Sequence, residues 1–121
     1  MQYLLLIYGN EESFGKMSKA DQDGVLQEYG AFTKGIAQSG HYRGGNELAA
    51  ISTATTVRVR DKKRLVTDGP FAETREQLGG YYLVQANDLD AAIGIAEKIP
   101  PAQFGTIEIR PVMEIGGLPQ N

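Results

Sequence analysis

The chain of 121 residues contains no cysteine and no tryptophan, and it has a single histidine. The lack of cysteine excludes disulfides, thiolate metal sites and a cysteine nucleophile, and it fits a reducing compartment, so we expect a cytoplasmic protein. The apolar segment 3–8 is far too short to cross a bilayer, and it lacks the basic flank and the cleavage site of a signal peptide. We therefore expect no contact with a membrane.

An excess of positive charge is also absent, since the formal net charge is −3. One segment is locally basic, with five cations between Arg58 and Arg64. No aromatic side chain that could stack on a base lies between them, and such charges on a half-buried strand usually form a solvated face. Because a negatively charged chain repels phosphate backbones, we expect no nucleic-acid partner.

The composition is that of an ordinary folded domain, with 41% hydrophobic and 22% charged residues. A chain of this length buries roughly two thirds of the surface that it exposes when unfolded. We find no interdomain linker, low-complexity tract or internal repeat. The sequence therefore predicts one domain over residues 1–121.

The first half of the chain predicts a strand and a long helix. Residues 2–8 are nearly all apolar, which favours a strand inside a sheet rather than at its edge, and residues 10–16 are expected to form a loop. Ser18 followed by Asp21 is an acidic variant of the capping box, and apolar residues then recur at helical spacing. Gly40 is expected to end this helix in the left-handed conformation.

The second half predicts a hairpin, a strand, a helix and a closing strand, after a glycine-rich connection around Gly44 and Gly45. The hairpin is expected at 55–60 paired with 65–67, and the next strand at 80–86. The helix is expected to be capped by Asn87 or Asp88 and ended by Pro100 and Pro101, and the closing strand is expected at 106–112. Their order predicts an α+β protein with a ferredoxin-like split βαβ arrangement, in which two helices lie on one face of an antiparallel sheet.

Helices cover only one face of such a sheet, yet both faces are partly apolar here. In the first strand Leu5 points one way, while Leu4 and Leu6 point the other. An exposed apolar sheet face is usually hidden against a partner, and a symmetric pair hides the same patch on each subunit. The sequence therefore predicts a homodimer with sheet packed on sheet.

Residues 67–82 combine turn-forming residues, acids, an arginine and paired tyrosines between two predicted strands. The segment reads Asp68-Gly69-Pro70-Phe71-Ala72-Glu73-Thr74, then Arg75, then Glu76-Gln77-Leu78-Gly79-Gly80-Tyr81-Tyr82. This order resembles the signature of the DGPF branch of the YCII-related proteins, with Arg75 where lysine is expected. Residues 3–9, 54–58 and 109–112 agree with the same family, so the resemblance covers nearly the whole chain.

The resemblance implies a bacterial protein that forms a dimeric α+β barrel, in a superfamily of small cofactor-free enzymes and effector-binding domains. Relatives of this branch are often encoded beside sigma factors of the extracytoplasmic-function class. The suspected catalytic histidine and aspartate of the broader family do not carry over. The sole histidine, His41, follows the first helix instead of lying near its start, and Pro100-Pro101 stands where relatives have aspartate before proline.

Within the motif Asp68 is the candidate general base, because a carboxylate held near a substrate proton can accept it at neutral pH. An aspartate before Gly-Pro also commonly starts a turn by accepting backbone N–H bonds, and this structural role competes with the catalytic one. Glu73 is a candidate proton partner, and in a helical turn it would share a face with Glu76. Acids that flank an arginine, here Arg75, are however most often a surface ion-pair cluster.

His41 is the second candidate proton partner, because imidazole exchanges protons near neutral pH. Lone histidines are usually structural, however, and after a helix end the ring can satisfy exposed carbonyls. Arg75 is the candidate anchor for an anionic group, through two parallel hydrogen bonds. Glu76, Phe71 and Tyr82 complete the predicted substrate-binding set. 

Tyr81 and Tyr82 are adjacent in a strand, so they are expected on opposite faces of the sheet, one in the core and one on the dimer side or in a cleft. We expect no metal, since neither a His-x-x-x-His pair nor a dense set of acids is present. We expect no cofactor either, because Gly79 and Gly80 do not form a phosphate-binding pattern.

Three functions are compatible with these residues. The first is a cofactor-free acid/base enzyme that acts on a small polar organic molecule in a cleft of the homodimer. The second is a ligand-sensing or accessory regulatory module, linked to a sigma factor of the extracytoplasmic-function class. The third is a structural interaction domain whose motif serves only the fold.

Overall fold

The structure is a computed structural model that describes residues 1–116. The six strands are β1 (Gln2–Gly9), β2 (Tyr42–Glu47), β3 (Thr55–Arg60), β4 (Lys63–Asp68), β5 (Gln77–Gln85) and β6 (Thr106–Pro111). The helices are α1 (Glu11–Gly15), α2 (Lys19–Gln38) and α3 (Leu89–Ala96), and short 3-10 turns lie at Ile51–Thr53 and Pro100–Gln103.

Four of the strands form one antiparallel sheet in the order β2-β5-β1-β6. The apolar β1 lies in the interior of the sheet, where Leu5 pairs with Tyr82 on β5 and with Ile109 on β6. Along β1 the side chains alternate between buried positions in the core and half-buried positions on the other side of the sheet, so both faces of the strand are apolar. The predicted α+β, ferredoxin-like fold with two helices on one face is confirmed.

The glycine-rich segment predicted as a connection is in fact strand β2, at the edge of the sheet. The prediction was wrong because glycine weakens the strand pattern while leaving the backbone able to pair. At Gly45 a side chain would not fit, since a Cβ atom there would lie 2.9 Å from both the Tyr81 carbonyl oxygen and the Tyr82 ring. The hairpin β3–β4 is therefore an insertion between β2 and β5, with its own two-stranded sheet.

The hairpin itself agrees with the prediction, and its turn consists of Asp61 and Lys62. Both have positive φ, at 51° and 65°, as a two-residue hairpin turn that matches the strand twist requires.

The predicted loop at 10–16 was wrong in part, because α1 forms there. Asn10 begins this helix, and its side-chain oxygen accepts a hydrogen bond from the Ser13 backbone N–H at 2.8 Å.

The ends of α2 are where the sequence predicts them. The Ser18 hydroxyl accepts a hydrogen bond from the Asp21 backbone N–H at 3.1 Å. Gly40 has φ of +82°, and the His41 backbone N–H bonds back to the Ile36 carbonyl at 2.9 Å. This left-handed C-terminal turn positions β2 beside β5.

The core lies between the helices and one face of the sheet. Its largest fully buried side chains are Leu5, Val84 and Ile99. The opposite side of the sheet, which we call the open face, bears half-buried apolar side chains: Leu4, Leu6, Tyr8, Leu78, Tyr81 and Leu83. Tyr82 lies in the core and Tyr81 on the open face, as predicted.

The sequence leaves two candidates, Asn87 and Asp88, for the N-cap of helix α3. The structure assigns the role to Asp88, whose side-chain oxygen accepts a hydrogen bond from the Ala91 backbone N–H at 2.9 Å. Replacing Asp88 by alanine is expected to lower the free energy of unfolding by about 1 kcal/mol, measured by urea denaturation. The neighbouring Asn87→Ala is the control and should change stability by less than about 0.5 kcal/mol. Equal losses in the two variants would contradict the assignment.

Candidate functional site

The structure divides the motif 67–82 among three places. Its first part ends β4 at Asp68, its middle part joins that hairpin to β5, and its last part is the start of β5. The side chains proposed from the sequence therefore do not converge on one point within a protomer.

Asp68 is exposed at the end of β4, opposite Thr55. Among the described residues its side chain has no hydrogen-bond partner, so the prediction that it holds a turn by accepting backbone N–H bonds was wrong. The turn is made by Gly69, which has φ of +98° and donates its N–H to the Ala54 carbonyl at 2.7 Å. Phe71 follows with 79% of its surface exposed.

Glu73, Arg75 and Glu76 do not form the predicted ion-pair cluster. Residues 69–76 contain bends and no helical turn, so acids three apart do not share a face. Within residues 1–116 the salt bridge that the structure shows is Lys16–Glu12. Glu76 instead accepts a hydrogen bond from the Thr106 hydroxyl at 2.7 Å, which ties the entry of β5 to β6.

His41 lies at the opposite end of β5 from Glu76. Its ring Nδ1 is 2.8 Å from the Gln85 carbonyl oxygen, so Nδ1 carries a proton and donates it. This partner belongs to a strand, whereas the sequence suggested the exposed carbonyls of the helix end. Since β5 has nine residues, its two ends are roughly 26 Å apart. Within one protomer His41 does not meet the acids of the motif.

A cavity of about 220 Å³ lies between α2 and the β2–β5 edge of the sheet, on the helix-covered side. We call it the tyrosine cavity. Its polar and aromatic lining comprises Tyr29, Thr33, Tyr42, Asn46, Glu47, Tyr81 and Tyr82. Of the seven site residues predicted from the sequence, Tyr82 alone lines it.

Two glycines leave the space for this cavity. Gly45 on β2 faces the Tyr82 ring, and Gly80 on β5 lies close to the backbone of β2. A Cβ atom at Gly80 would lie 3.0 Å from the Asn46 carbonyl oxygen. The pair of glycines therefore serves both the close pairing of β2 with β5 and the hollow beside it.

The hydroxyl groups in the cavity have a fixed direction of hydrogen bonding. Thr33 donates its only proton to the Tyr29 carbonyl oxygen at 2.8 Å. In the 2.6 Å contact between the Thr33 and Tyr82 hydroxyls, Tyr82 must therefore be the donor. The lone pairs of the Tyr82 oxygen remain available to accept a hydrogen bond from a ligand.

The phenols of Tyr29 and Tyr82 are neutral at physiological pH. Burial raises the pKa of Tyr82, with smaller contributions from Tyr42 and Glu47, against the opposing effect of the Thr33 hydrogen bond. Burial also raises the pKa of Tyr29, and Tyr82 and Glu47 raise it further. Edge-to-face packing of Phe32 on Tyr82, with ring centroids 5.3 Å apart, holds the Tyr82 ring in place.

Glu47, the last residue of β2, is the carboxylate in the lining of the tyrosine cavity. The sequence analysis did not name Glu47, Thr33 or Tyr29 as candidate site residues. One signal was present: Tyr29 and Thr33 are four residues apart, so their polar groups share the inward face of a helix. The strand signal for Glu47 was hidden by the preceding glycines.

The hydroxyl pair can be tested through stability. Replacing Thr33 by valine is expected to lower the free energy of unfolding by about 1 kcal/mol, because the Tyr82 hydroxyl loses its acceptor. Tyr82→Phe and the double variant complete a double-mutant cycle, with urea denaturation as the measurement. The double variant should be no less stable than Thr33→Val alone. Fully additive losses would show that the two hydroxyls are not coupled.

Neither a membrane-crossing helix nor a cluster of three potential metal ligands is found among the residues that the structure describes. 

Comparisons with known proteins give the following matches. The YCII-related domain family matches residues 1–116. An uncharacterised protein of Rhizobium meliloti (strain 1021) is 32% identical over 114 residues, which are 93% of this chain and 92% of that protein. A solved structure of 5-chloro-2-hydroxyhydroquinone dehydrochlorinase from Burkholderia phenoliruptrix AC1100, in complex with 2,5-dihydroxybenzoquinone, has a TM-score of 0.55 at 10% identity. The match covers 93% of this chain and 94% of that one, and it shows a shared fold.

Proposed function

This chain belongs to the YCII-related family, and we propose that it is a cofactor-free acid/base enzyme that acts on a small polar organic molecule as a homodimer. The observation that carries the proposal is the tyrosine cavity, a hollow of about 220 Å³ beside a carboxylate. Small-molecule sites are typically concave and largely apolar, with a few convergent polar groups. The lining of this cavity has that composition.

The groups in the cavity define what a substrate must offer. The Tyr82 hydroxyl already donates its proton to Thr33, so its oxygen can only accept a hydrogen bond from a substrate. The substrate therefore presents a hydroxyl or amine donor to it. The Tyr29 hydroxyl has no partner among the described residues and, as a neutral phenol, can donate to a developing oxyanion. Glu47 accepts a proton from the substrate. Proton removal by Glu47 and charge stabilisation by Tyr29 together suit an isomerisation or an elimination.

The shared fold supports the choice of test compounds. The dehydrochlorinase from Burkholderia phenoliruptrix has 2,5-dihydroxybenzoquinone bound, which is a small ring with hydroxyl groups. Such a compound would present a donor to Tyr82 and would suit a cavity walled by tyrosine rings. We therefore propose hydroxylated single-ring compounds as the first substrates to try.

The motif residues provide a competing assignment of the base. In it Asp68 removes the proton with His41 or Glu73 as its partner, while Arg75, Glu76, Phe71 and Tyr82 bind the substrate. Because these side chains are apart within a protomer, this assignment requires a second copy to bring them together. Glu47 is preferred because it already lines the same cavity as Tyr82.

A thermal-shift screen with hydroxylated ring compounds, followed by mass spectrometry of the incubated mixtures, tests the proposal. Gly30 lines the cavity from α2 and has open space where a Cβ would stand, so Gly30→Leu fills the cavity without a backbone clash. Gly35→Leu, on the same helix and outside this cavity, is the matched control. A substrate should raise the melting temperature of wild type and Gly35→Leu but not of Gly30→Leu, and a product should appear. Equal shifts in all three proteins would place binding elsewhere.

One observation favours the second candidate, a ligand-sensing or accessory regulatory module. Glu47 is the one carboxylate in the described lining of the cavity, whereas acid/base enzymes commonly use two titratable groups. In that case a compound would stabilise the protein through the same cavity and be recovered unchanged after long incubation.

A further inference from the structure

The hairpin of β3 and β4, residues 55–68, projects from the body of the domain, and we call it the arm. Thirteen of its fourteen residues are exposed, Thr56 being the half-buried exception. Neither strand pairs with the four-stranded sheet. The described part of the protomer therefore leaves the arm uncovered.

The arm has two unlike faces. Its strand register places Val57 opposite Val66 and next to Val59, all on one face. These three valines are 59%, 54% and 61% exposed. The other face carries Arg58, Arg60 and Lys63 with Leu65. Alternation of this kind is typical of a strand pair with one face buried, so the apolar face is suited to pack against another apolar surface.

The arm also needs support. A two-stranded hairpin is at best marginally stable in water without a third strand or a packing surface. Its turn adds a cost, since Asp61 and Lys62 have positive φ without being glycine. A contact on the apolar face would supply the missing stabilisation.

The charge distribution indicates what provides this contact. Five of the twelve basic residues and two of the fifteen acids of the chain lie in the arm, so the arm carries +3. The remainder of the chain has seven basic residues and thirteen acids and carries −6. Arg58, Arg60 and Lys63 lie on the face away from the valines, so the positive charge of the arm attracts the acidic body of another copy of this chain at long range, whereas copies of the body alone repel one another.

We propose that the arm of each copy packs its apolar face on a second copy of this chain, against the open face of the sheet. That face offers half-buried Leu4, Leu6 and Leu83 as the apolar counterpart. The same face of the arm also carries Arg64, opposite Val59, and Asp68, opposite Thr55, so it has no net charge of its own and suits an apolar contact. The inference rests on the proposed homodimer and makes the arm, and not only the sheet, part of its interface.

Sedimentation velocity over a range of protein concentrations tests the interface. The double variant Val57→Ser/Val59→Ser should weaken dimerisation by about tenfold or more, because it removes two apolar anchors. Leu65→Ser, on the basic face of the same hairpin, is the matched control and should change the dissociation constant by less than about threefold. Raising the salt concentration should also weaken the wild-type dimer.

The outcomes separate this inference from the proposed function. A wild-type chain that stays monomeric at all concentrations would overturn both the arm contact and the homodimer. Binding of nucleic acid to the basic face of such a monomer would not restore either of them. A dimer equally tight in the Val57→Ser/Val59→Ser variant would overturn the arm contact alone. Because the chain has no cysteine, Val59→Cys accepts a single polarity-sensitive dye, whose emission should shift to the blue as dimer forms. Emission that does not change on dimerisation would also overturn the contact.

Discussion

Replacing Glu47 by glutamine is expected to lower the turnover of a substrate found for this protein by about 10²- to 10⁴-fold. Glutamine keeps the shape of the side chain but cannot accept a proton, so the loss should appear in kcat. Because Glu47 is exposed, the free energy of unfolding should change by less than about 0.5 kcal/mol. Steady-state kinetics on folded variants is the measurement.

Asp68→Asn is the matched control, since it makes the same chemical change at the other candidate base. If Glu47 is the base, Asp68→Asn should retain nearly full kcat. The reverse pattern would move the base to the motif and require a second copy at the site. Undiminished kcat in both variants would remove both carboxylates from the mechanism.

The position of Glu47 beside the tyrosines can be tested without a substrate. Burial is the main cause of the raised pKa of Tyr29 and of Tyr82, and the charge of Glu47 raises both further, because a nearby negative charge disfavours the phenolate. Glu47→Gln should therefore lower the pH at which the buried tyrosines ionise, followed by ultraviolet absorbance in alkaline titration. Asp68→Asn should leave that titration unchanged.

The sequence was sufficient for elements whose signals are local. The apolar run of β1, the Ser18 cap and the Gly40 stop each depend on a few neighbouring residues, and the interior strand and the two helix ends predicted from them were confirmed. Strand β2 was missed because Gly44 and Gly45 carry no apolar pattern, although Gly45 is needed for the close approach of Tyr82. The ferredoxin-like order was still found, since it is set by the strands and helices around β2.

The tyrosine cavity could not be predicted, because its parts come from three distant stretches. Tyr29 and Thr33 are on α2, Glu47 ends β2, and Tyr82 is on β5. No one of these stretches looks like a site by itself. The motif 67–82 was predicted as the site because it is rich in chemically active residues. Its middle part, however, makes structural contacts such as the Thr106–Glu76 hydrogen bond.

The two faces of the sheet can be distinguished by paired truncations on one strand. Leu5 is 0% exposed in the core, and Leu6, the next residue, lies half-buried on the open face. Leu5→Ala should lower the free energy of unfolding by about 3 kcal/mol, because it removes buried apolar contacts and leaves a cavity that the core cannot fill. At protein concentrations low enough to keep the chain monomeric, Leu6→Ala should cost only about 1 kcal/mol.

Urea denaturation at low and high protein concentration turns this pair into a test of the open face. If a second copy covers that face, the cost of Leu6→Ala should grow with protein concentration, because the variant loses dimer contacts as well as its own packing. The cost of Leu5→Ala should not change with concentration, since the core of one protomer is complete. A cost of Leu6→Ala that stays the same at both concentrations would mean that the open face remains in water, and the nearly unbroken apolar sequence of β1 would then need another explanation.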